Sequence, residues 1–267
     1  LARAAHEKLK ATAMILETTS KSQPLSKRVR QHRQMVHVLL SHLNMVGSSQ
    51  RIMLPANTKE LRVAVYDAAG VGASGPRNLD RVFRSMKNVV VRRVGVEDIG
   101  DGVLNQFDLA IFPGGSGSKQ AVALQPTGRE AVQQFVKDGG GFVGICAGAY
   151  LAAANYKWSL ALSNHKTYCE TIDLPEIGRK SMWFRGNSAP VKMELTDEGR
   201  RILGDRKGVF EVRYHNGPIM SPMGKKGLAN FRTLANFRSE VSKYKPQEGT
   251  MVNTPAIIAG EFGKGHV

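Results

Sequence analysis

The chain has 267 residues, of which 42% are hydrophobic and 22% charged, and its 38 Lys/Arg outweigh 22 Asp/Glu for a formal net charge of +16. That length and apolar content suffice to bury a full core, no stretch approaches the roughly 18 consecutive apolar residues of a membrane span, and only two cysteines, Cys146 and Cys169, argue against a disulfide scaffold. The basic excess permits attraction to nucleic acid, acidic proteins or anionic lipid, but no zinc-finger spacing, RNA-binding aromatic signature or basic zipper accompanies it, so no specific nucleic-acid partner is expected.

Residues 1–50 read as a basic helical arm. The first 51 residues hold nine Lys/Arg against two Glu, nearly half of the whole excess. Between Pro24 and Val46, apolar Val29, Val36, Leu39, Leu40, Leu43 and Val46 recur at helical spacing with Lys27, Arg28, Arg30 and Arg33 on other faces. A second helix is expected over about residues 4–18, with "TSKSQPLS" as the turn between them. His32, His37 and His42 are five residues apart and do not align as helical metal ligands. The arm is expected to pack on the main domain or on a second subunit, which makes a homodimer through it the candidate assembly. A salt-sensitive tether to nucleic acid or an anionic surface is the lesser alternative. The start, "LARAAHEKLKATAMILETT", carries charges where a signal peptide has an unbroken apolar segment. The cytoplasm is therefore the default location, and export by a signal removed ahead of Leu1 is the alternative left open.

After a linker, "GSSQRIMLPANTKE", the pattern changes to short apolar runs alternating with amphipathic ones. Strands are expected at 61–67, 88–94, 107–115 and 141–146, with helices near 77–87 and 128–138. Unbroken β-branched runs joined by helices predict an α/β fold with a mainly parallel central sheet covered on both faces. From residue 190 onward "PVKMELT", "FEVRYHNG", "FRTLANF" and "PAIIAGEF" suggest further strands, partly antiparallel. No internal repeat or low-complexity tract interrupts 61–267, which is read as one domain.

"GGGFVGICAGAYLAAA" (139–154) sets Cys146 between Gly144 and Gly148, at a sharp strand-to-helix turn. In a nucleophile elbow, crowding around the reactive side chain requires very small residues two before and two after it. The helix that follows would stabilise a thiolate and lower the thiol pKa. "FPGGSGS" ends an earlier strand at the same sheet edge, so the backbone N–H groups of Gly114 or Gly115, with that of Ala147, are candidates to hold an oxyanion. An inert thiol in a glycine-rich turn is the competing reading.

"GICAGAYLAA" with upstream "FPGG" resembles the class I glutamine amidotransferase-like superfamily, and most closely the family of the N-terminal domain of eukaryotic biotin-protein ligases. "RVAVYDAAGVGASGP" (62–76), "KMELTDEGRRILG" (192–204), "VRYHNGP" (212–218) and "IIAGEFGKGHV" (257–267) support it. The resemblance implies a flavodoxin-like three-layer sandwich, with the N-terminal helical arm outside it, and Cys146 as the nucleophile of a Cys-His-Glu triad. Amidotransferases carry the His and Glu in a His-Pro-Glu motif after the last strand. That strand begins at "FGKGHV", His266 belongs to its entry, and the triad role is not assigned to it. His215, at a strand end, is a candidate base or ligand contact, and a hydrogen-bonded structural histidine fits the same pattern. His165 is read as a loop residue.

Glutamine-using members have Gln four residues after the nucleophile, whereas here Tyr150 stands there and changes pocket volume and hydrogen bonding, so free glutamine is not the expected substrate. Tyr150 and Asp67 are candidate substrate contacts, although Asp67 also fits a solvated loop. Trp158, Trp183 and Phe184 are core or lid candidates, and Glu170 has no identifiable partner. "DAAGVGASGP" lacks the Walker lysine and the dinucleotide fingerprint. No metal-ligand constellation and no cofactor are implied. No biotin-ligase catalytic half is recognisable, so biotinylation is not expected. Two functions follow: a cysteine hydrolase or amidotransferase relative acting on a C–N or acyl bond through a Cys146 thioester, with a small molecule as substrate, or a non-catalytic binding or regulatory module that keeps the fold.

Overall fold

The structure, a computed structural model, describes residues 60–174, 178–182, 188–241 and 249–267. The chain divides into Leu1–Met53 and Leu54–Val267, and the helical arm expected over 1–50 lies outside the described residues.

The β-branched runs form the main sheet. Strands β1 (Leu61–Tyr66), β2 (Val89–Val94), β3 (Leu109–Phe112) and β4 (Gly141–Gly144) are parallel neighbours in the order β2-β1-β3-β4. Much later in the chain β13 (Glu261–Phe262) and β14 (Gly265–His266) make a short hairpin, whose second strand lies parallel to β4 and completes the sheet. The order from β2 to β14 is therefore the 2-1-3-4-5 of flavodoxin-like folds, with only the edge strand β13 antiparallel.

Helix α1 (Gly75–Arg84) links β1 to β2, and α3 (Gly117–Lys137) links β3 to β4; α2 (Val96–Gly100) precedes a 3-10 turn over Val103–Gln106. The two long crossovers run in opposite directions along the sheet, so right-handed connections put α1 and α3 on opposite faces. Leu79 and Phe83 of α1 pack on Val63, Val65, Val91 and Ile111. On the other face Tyr66, Phe112 and Phe142 stack, with ring centroids 4.9 and 5.2 Å apart. Helix α3 begins eleven residues earlier than the sequence suggests, at a Ser116 cap. It is broken by a kink at Gln125, which takes the non-helical φ 57, ψ 177, and Pro126, with no N–H to satisfy, starts the second helical segment.

Between α4 (Ala147–Ala152) and β13 the chain builds antiparallel structure. Strands β5 (His165–Thr167) and β10 (Met220–Pro222) pair, as do β6 (Glu170–Leu174) and β7 (Gly178–Met182). Strands β8 (Ser188–Leu195), β9 (Val209–His215), β11 (Arg232–Phe237) and β12 (Pro255–Ala259) make a second sheet in the order β12-β11-β8-β9, with α5 (Asp197–Leu203) joining β8 to β9. Its inward residues, among them Val191, Met193, Leu195, Tyr214 and Phe237, form a cluster with Met251 from the segment ahead of β12. Among the described residues no helix is long and apolar enough to cross a membrane.

The entry to β1 is fixed by Asp108, whose carboxylate accepts from the Arg62 backbone N–H at 2.8 Å and from its guanidinium Nε at 3.0 Å. The Arg62 guanidinium holds the Asp108 carboxyl below its ordinary pKa. Because the pair is partly exposed, Asp108→Ala is expected to cost about 1–2 kcal/mol. A urea midpoint unchanged by that substitution would contradict this.

Candidate functional site

The parallel strands end together at one edge, and three loops meet there. In the first, β4 stops at Gly144, the Ile145 N–H donates to the Phe112 carbonyl at 3.0 Å, and Cys146 turns the chain at φ 53, ψ −101. Such a left-handed, non-glycine conformation is strained and persists only where the surroundings enforce it. They do so through the flanking glycines. A Cβ on Gly144 would lie 2.5 Å from the Gly148 backbone, and one on Gly148 would lie 2.1 Å from the Phe112 carbonyl oxygen.

The second loop, Pro113–Gly114–Gly115, is laced to the glycine-rich segment after β1. The Gly72 N–H donates to the Gly114 carbonyl at 2.8 Å, and the Ser116 N–H to the Gly70 carbonyl at 2.7 Å. Gly115 takes φ 145, where a side chain would collide with Gly70. The buried Gln120 secures the loop from α3 by donating Nε2–H to the Pro113 carbonyl at 2.9 Å. Gly114 stands directly against Cys146, its Cβ position being 3.5 Å from the Cys146 Cβ. The backbone N–H groups of Gly115 and Ala147 act on the sulfur.

The third wall comes from the antiparallel sheet, where β9 ends in "HNGP". Cys146 Sγ is 3.8 Å from the His215 carbonyl oxygen and 3.9 Å from that of Asn216. Tyr150, one turn after the cysteine on α4, donates its hydroxyl to the Asn216 carbonyl at 3.5 Å. Asn216 is itself left-handed, at φ 55, and its Oδ1 is buried with no hydrogen-bond partner. Nothing in the sequence marks Asn216 as more than a turn residue, although an Asn-Gly pair ending a strand does signal a left-handed position.

Burial pushes the Cys146 thiol above its ordinary pKa, while the Gly115 and Ala147 N–H groups pull less strongly the other way. The expectation of a thiol acidified by the helix is therefore corrected. Helix α4 has only six residues, and two carbonyl oxygens beside the sulfur favour the S–H form. Burial likewise raises the Tyr150 phenol, which stays neutral.

The other sequence candidates fall as follows. The His215 residue is exposed, and the group it turns to the sulfur is its main-chain carbonyl. Asp67 pairs with Arg93 of the edge strand at 3.0 Å. Cys146 and Cys169 are both free thiols, the latter exposed. Trp158 stacks on Tyr156 with centroids 4.6 Å apart, behind α4, whereas Trp183 and Phe184 lie outside the described residues. Glu170 does have a partner, since its carboxylate accepts from the Tyr168 hydroxyl at 3.2 Å. His165 is not in a loop: it lies in β5 with 1% of its surface exposed, its main-chain carbonyl accepting from the Ala154 N–H just past α4 and its ring beside the Ala149 carbonyl. Its ring thus meets the third residue of α4, three positions on from Cys146. Among the described residues no group of three His, Cys, Asp or Glu could hold a metal ion.

Residues 61–170 match the family described as "Biotin-protein ligase, N terminal", so the likeness read from the motifs holds across β1 to the start of β6. A curated relative, the biotin–protein ligase of Schizosaccharomyces pombe, is 24% identical over 218 residues. The match takes in 78% of this chain and 32% of the ligase, so the chain spans about a third of that relative's length. Among solved structures, a glutamine amidotransferase from Thermotoga maritima superposes with a TM-score of 0.43 at 15% identity, covering 78% of this chain and 74% of its own. A β-galactosidase from Bacillus circulans gives a TM-score of 0.45 at 12% identity, covering 91% of this chain and 32% of its own. Likeness at that level carries no functional argument.

Proposed function

We propose that this domain is a cysteine-dependent hydrolase or acyl transferase acting on a C–N or acyl bond, with Cys146 as nucleophile. The observation that carries the reading is the strained elbow at Cys146 set beside two backbone donors, the N–H groups of Gly115 and Ala147. In the reaction the Cys146 sulfur attacks the acyl carbon and the carbonyl oxygen gains negative charge, which those two N–H groups stabilise. Collapse breaks the C–N bond, and the thiol proton leaves on the amine. Water then cleaves the thioester, releasing the acid and restoring the thiol. The His215 imidazole is the candidate to carry the proton, on a residue whose main-chain carbonyl is 3.8 Å from the sulfur. Gly114 lets a substrate approach the cysteine closely, and Tyr150 closes the floor of the site.

The test is turnover of a panel of small acyl p-nitroanilides, with acid-quenched protein examined by peptide mass spectrometry. Wild type is expected to show an acyl adduct on Cys146, and Cys146→Ala to lose at least about 10³-fold in rate. His215→Gln is expected to slow acylation. Turnover that survives Cys146→Ala would overturn the reading.

One observation favours a second reading, that of a ligand-binding module without turnover. The neighbours of the thiol are main-chain groups, two of them acceptors for its proton, and burial holds it in the protonated form. That reading predicts ligand binding unchanged by Cys146→Ser and no acyl adduct.

A further inference from the structure

The Gly115 N–H that acts on the Cys146 sulfur belongs to the same peptide unit as the Gly114 carbonyl, and in a trans peptide the two point in opposite directions. Whatever holds that carbonyl therefore aims the N–H. The Gly72 N–H holds it, at 2.8 Å. On either side of that unit, the Pro113 carbonyl accepts from Gln120 Nε2 at 2.9 Å and the Ser116 N–H donates to the Gly70 carbonyl at 2.7 Å. Such ties are needed here. Two consecutive glycines rotate at little cost, so an untied 114–115 unit would carry its N–H away from the sulfur.

Gln120 is where the ties meet. It is fully buried in the first turn of α3. Its side-chain amide bonds Pro113, while its backbone N and Cγ lie 2.5 and 2.9 Å from the place a Gly70 Cβ would take. One residue thus braces both sides of the short bridge between Val71 and Gly115. Its Oε1, by contrast, is buried with no hydrogen-bond partner among the described residues. Half of the amide goes unpaired, a cost that an apolar side chain of similar volume would avoid. Filling space does not account for an amide at this position; the bond to Pro113 does.

We infer that Gln120 is a positioning residue for the reaction at Cys146: without touching substrate, it fixes the Pro113–Gly114–Gly115 backbone so that the Gly115 N–H faces the sulfur and the oxyanion formed beside it. This rests on the reading of Cys146 as a nucleophile. A donor aimed at developing charge acts more strongly in the transition state than in the bound substrate, so loosening it lowers kcat and leaves KM nearly alone. The same N–H favours the thiolate, so the sulfur also becomes less reactive toward a simple alkylating agent.

Two variants of the full chain test this. Gln120→Met keeps the volume and removes the donor. Gln120→Glu keeps the shape and lets pH control the donor, because a protonated carboxyl donates O–H to the Pro113 carbonyl and a carboxylate repels it. The first quantity read is the rate of alkylation by iodoacetamide at Cys146 divided by that at the exposed Cys169, followed by peptide mass spectrometry between pH 5.5 and 8. The second is kcat and KM on a p-nitroanilide that wild type turns over. Gln120→Met is expected to lower the quotient about fivefold and kcat about tenfold, with KM within about twofold. Gln120→Glu is expected to match wild type at the acid end and Gln120→Met at the alkaline end, with urea midpoints showing folded protein throughout. The Glu variant decides alone if Gln120→Met does not fold. Wild-type quotient and kcat in a folded Gln120→Met overturn the inference and leave the nucleophile standing. So does a Gln120→Glu profile parallel to that of wild type, or a loss that follows the urea midpoint, since packing then explains it. Wild-type Cys146 that resists alkylation while Cys169 reacts overturns the nucleophile itself, and the inference with it.

Discussion

Gly148→Ala is expected to destabilise the protein by at least about 3 kcal/mol, as overpacking against rigid backbone does, and to leave little folded material at 37 °C. The added methyl would sit 2.1 Å from the Phe112 carbonyl oxygen and 2.9 Å from its carbonyl carbon, deep inside van der Waals contact. Neither side can yield cheaply. Phe112 is in the middle of the sheet, its carbonyl already accepts from the Ile145 N–H at 3.0 Å, and its ring stacks between Tyr66 and Phe142. On the other side, moving α4 away from β3 would pull on the Gly144 contact, where the backbones of residues 144 and 148 leave no room for a Cβ either. A surface glycine whose backbone, unlike that of the helical Gly148, has a positive φ offers the control. Gly204 takes φ 103 with nothing within 4 Å of its Cβ position, so Gly204→Ala carries only backbone strain, about 1 kcal/mol. Urea unfolding of both variants checks the contrast, and equal midpoints would show that the elbow is not packed as described.

The parts of the fold that were legible in the sequence are those whose burial is complete and local. The runs at 61–67, 88–94 and 107–115 read as strands, which form over 61–66, 89–94 and 109–112, because a sheet covered on both faces asks for unbroken β-branched runs, and the elbow read as one because only glycine fits at 144 and 148. Where the structure departs, longer-range partners decide. The first half of α3 has a weak apolar pattern and ends at Gln125–Pro126, yet it is held by burial of Gln120, Ala121 and Leu124. His165 belongs to a three-residue strand whose partner, β10, is more than fifty residues away, and no local pattern encodes that pairing. The same distance hid the most consequential feature of the candidate site. Helix and glycine signals next to Cys146 argue for an acidic thiol, but its burial, and the carbonyls of residues 215 and 216 that face it, come from a sheet seventy residues further along.

Lowering the pH from 6.5 to 4 should cost the protein about 3 kcal/mol of stability through His165 alone. Burial depresses its folded-state pKa from the ordinary 6.5 to about 4, and the nearby Ala149 carbonyl only partly opposes this. Neither ring nitrogen makes a well-directed hydrogen bond, and the ring meets Phe231 edge-on at 6.5 Å, so the native environment offers little to a charged imidazolium. Above pH 6.5 the ring is neutral whether the chain is folded or not, and its contribution is complete. As the pH falls below that, the unfolded chain binds the proton and the folded one does not, so the balance moves toward unfolding until the folded ring titrates as well, near pH 4. His165→Leu should remove this slope while changing stability at pH 7 by an amount set by packing alone. Urea midpoints of both proteins at half-unit intervals between pH 7 and 4.5 separate the two effects, because carboxylate titrations are common to both and cancel in the difference. Parallel pH profiles would show that the ring is solvated or paired. A converging pair would also tie acid sensitivity to the functional site, since Leu160, Leu162 and Ser163, just ahead of His165, donate their N–H groups to the last carbonyls of α4, the helix on which the elbow at Cys146 rests.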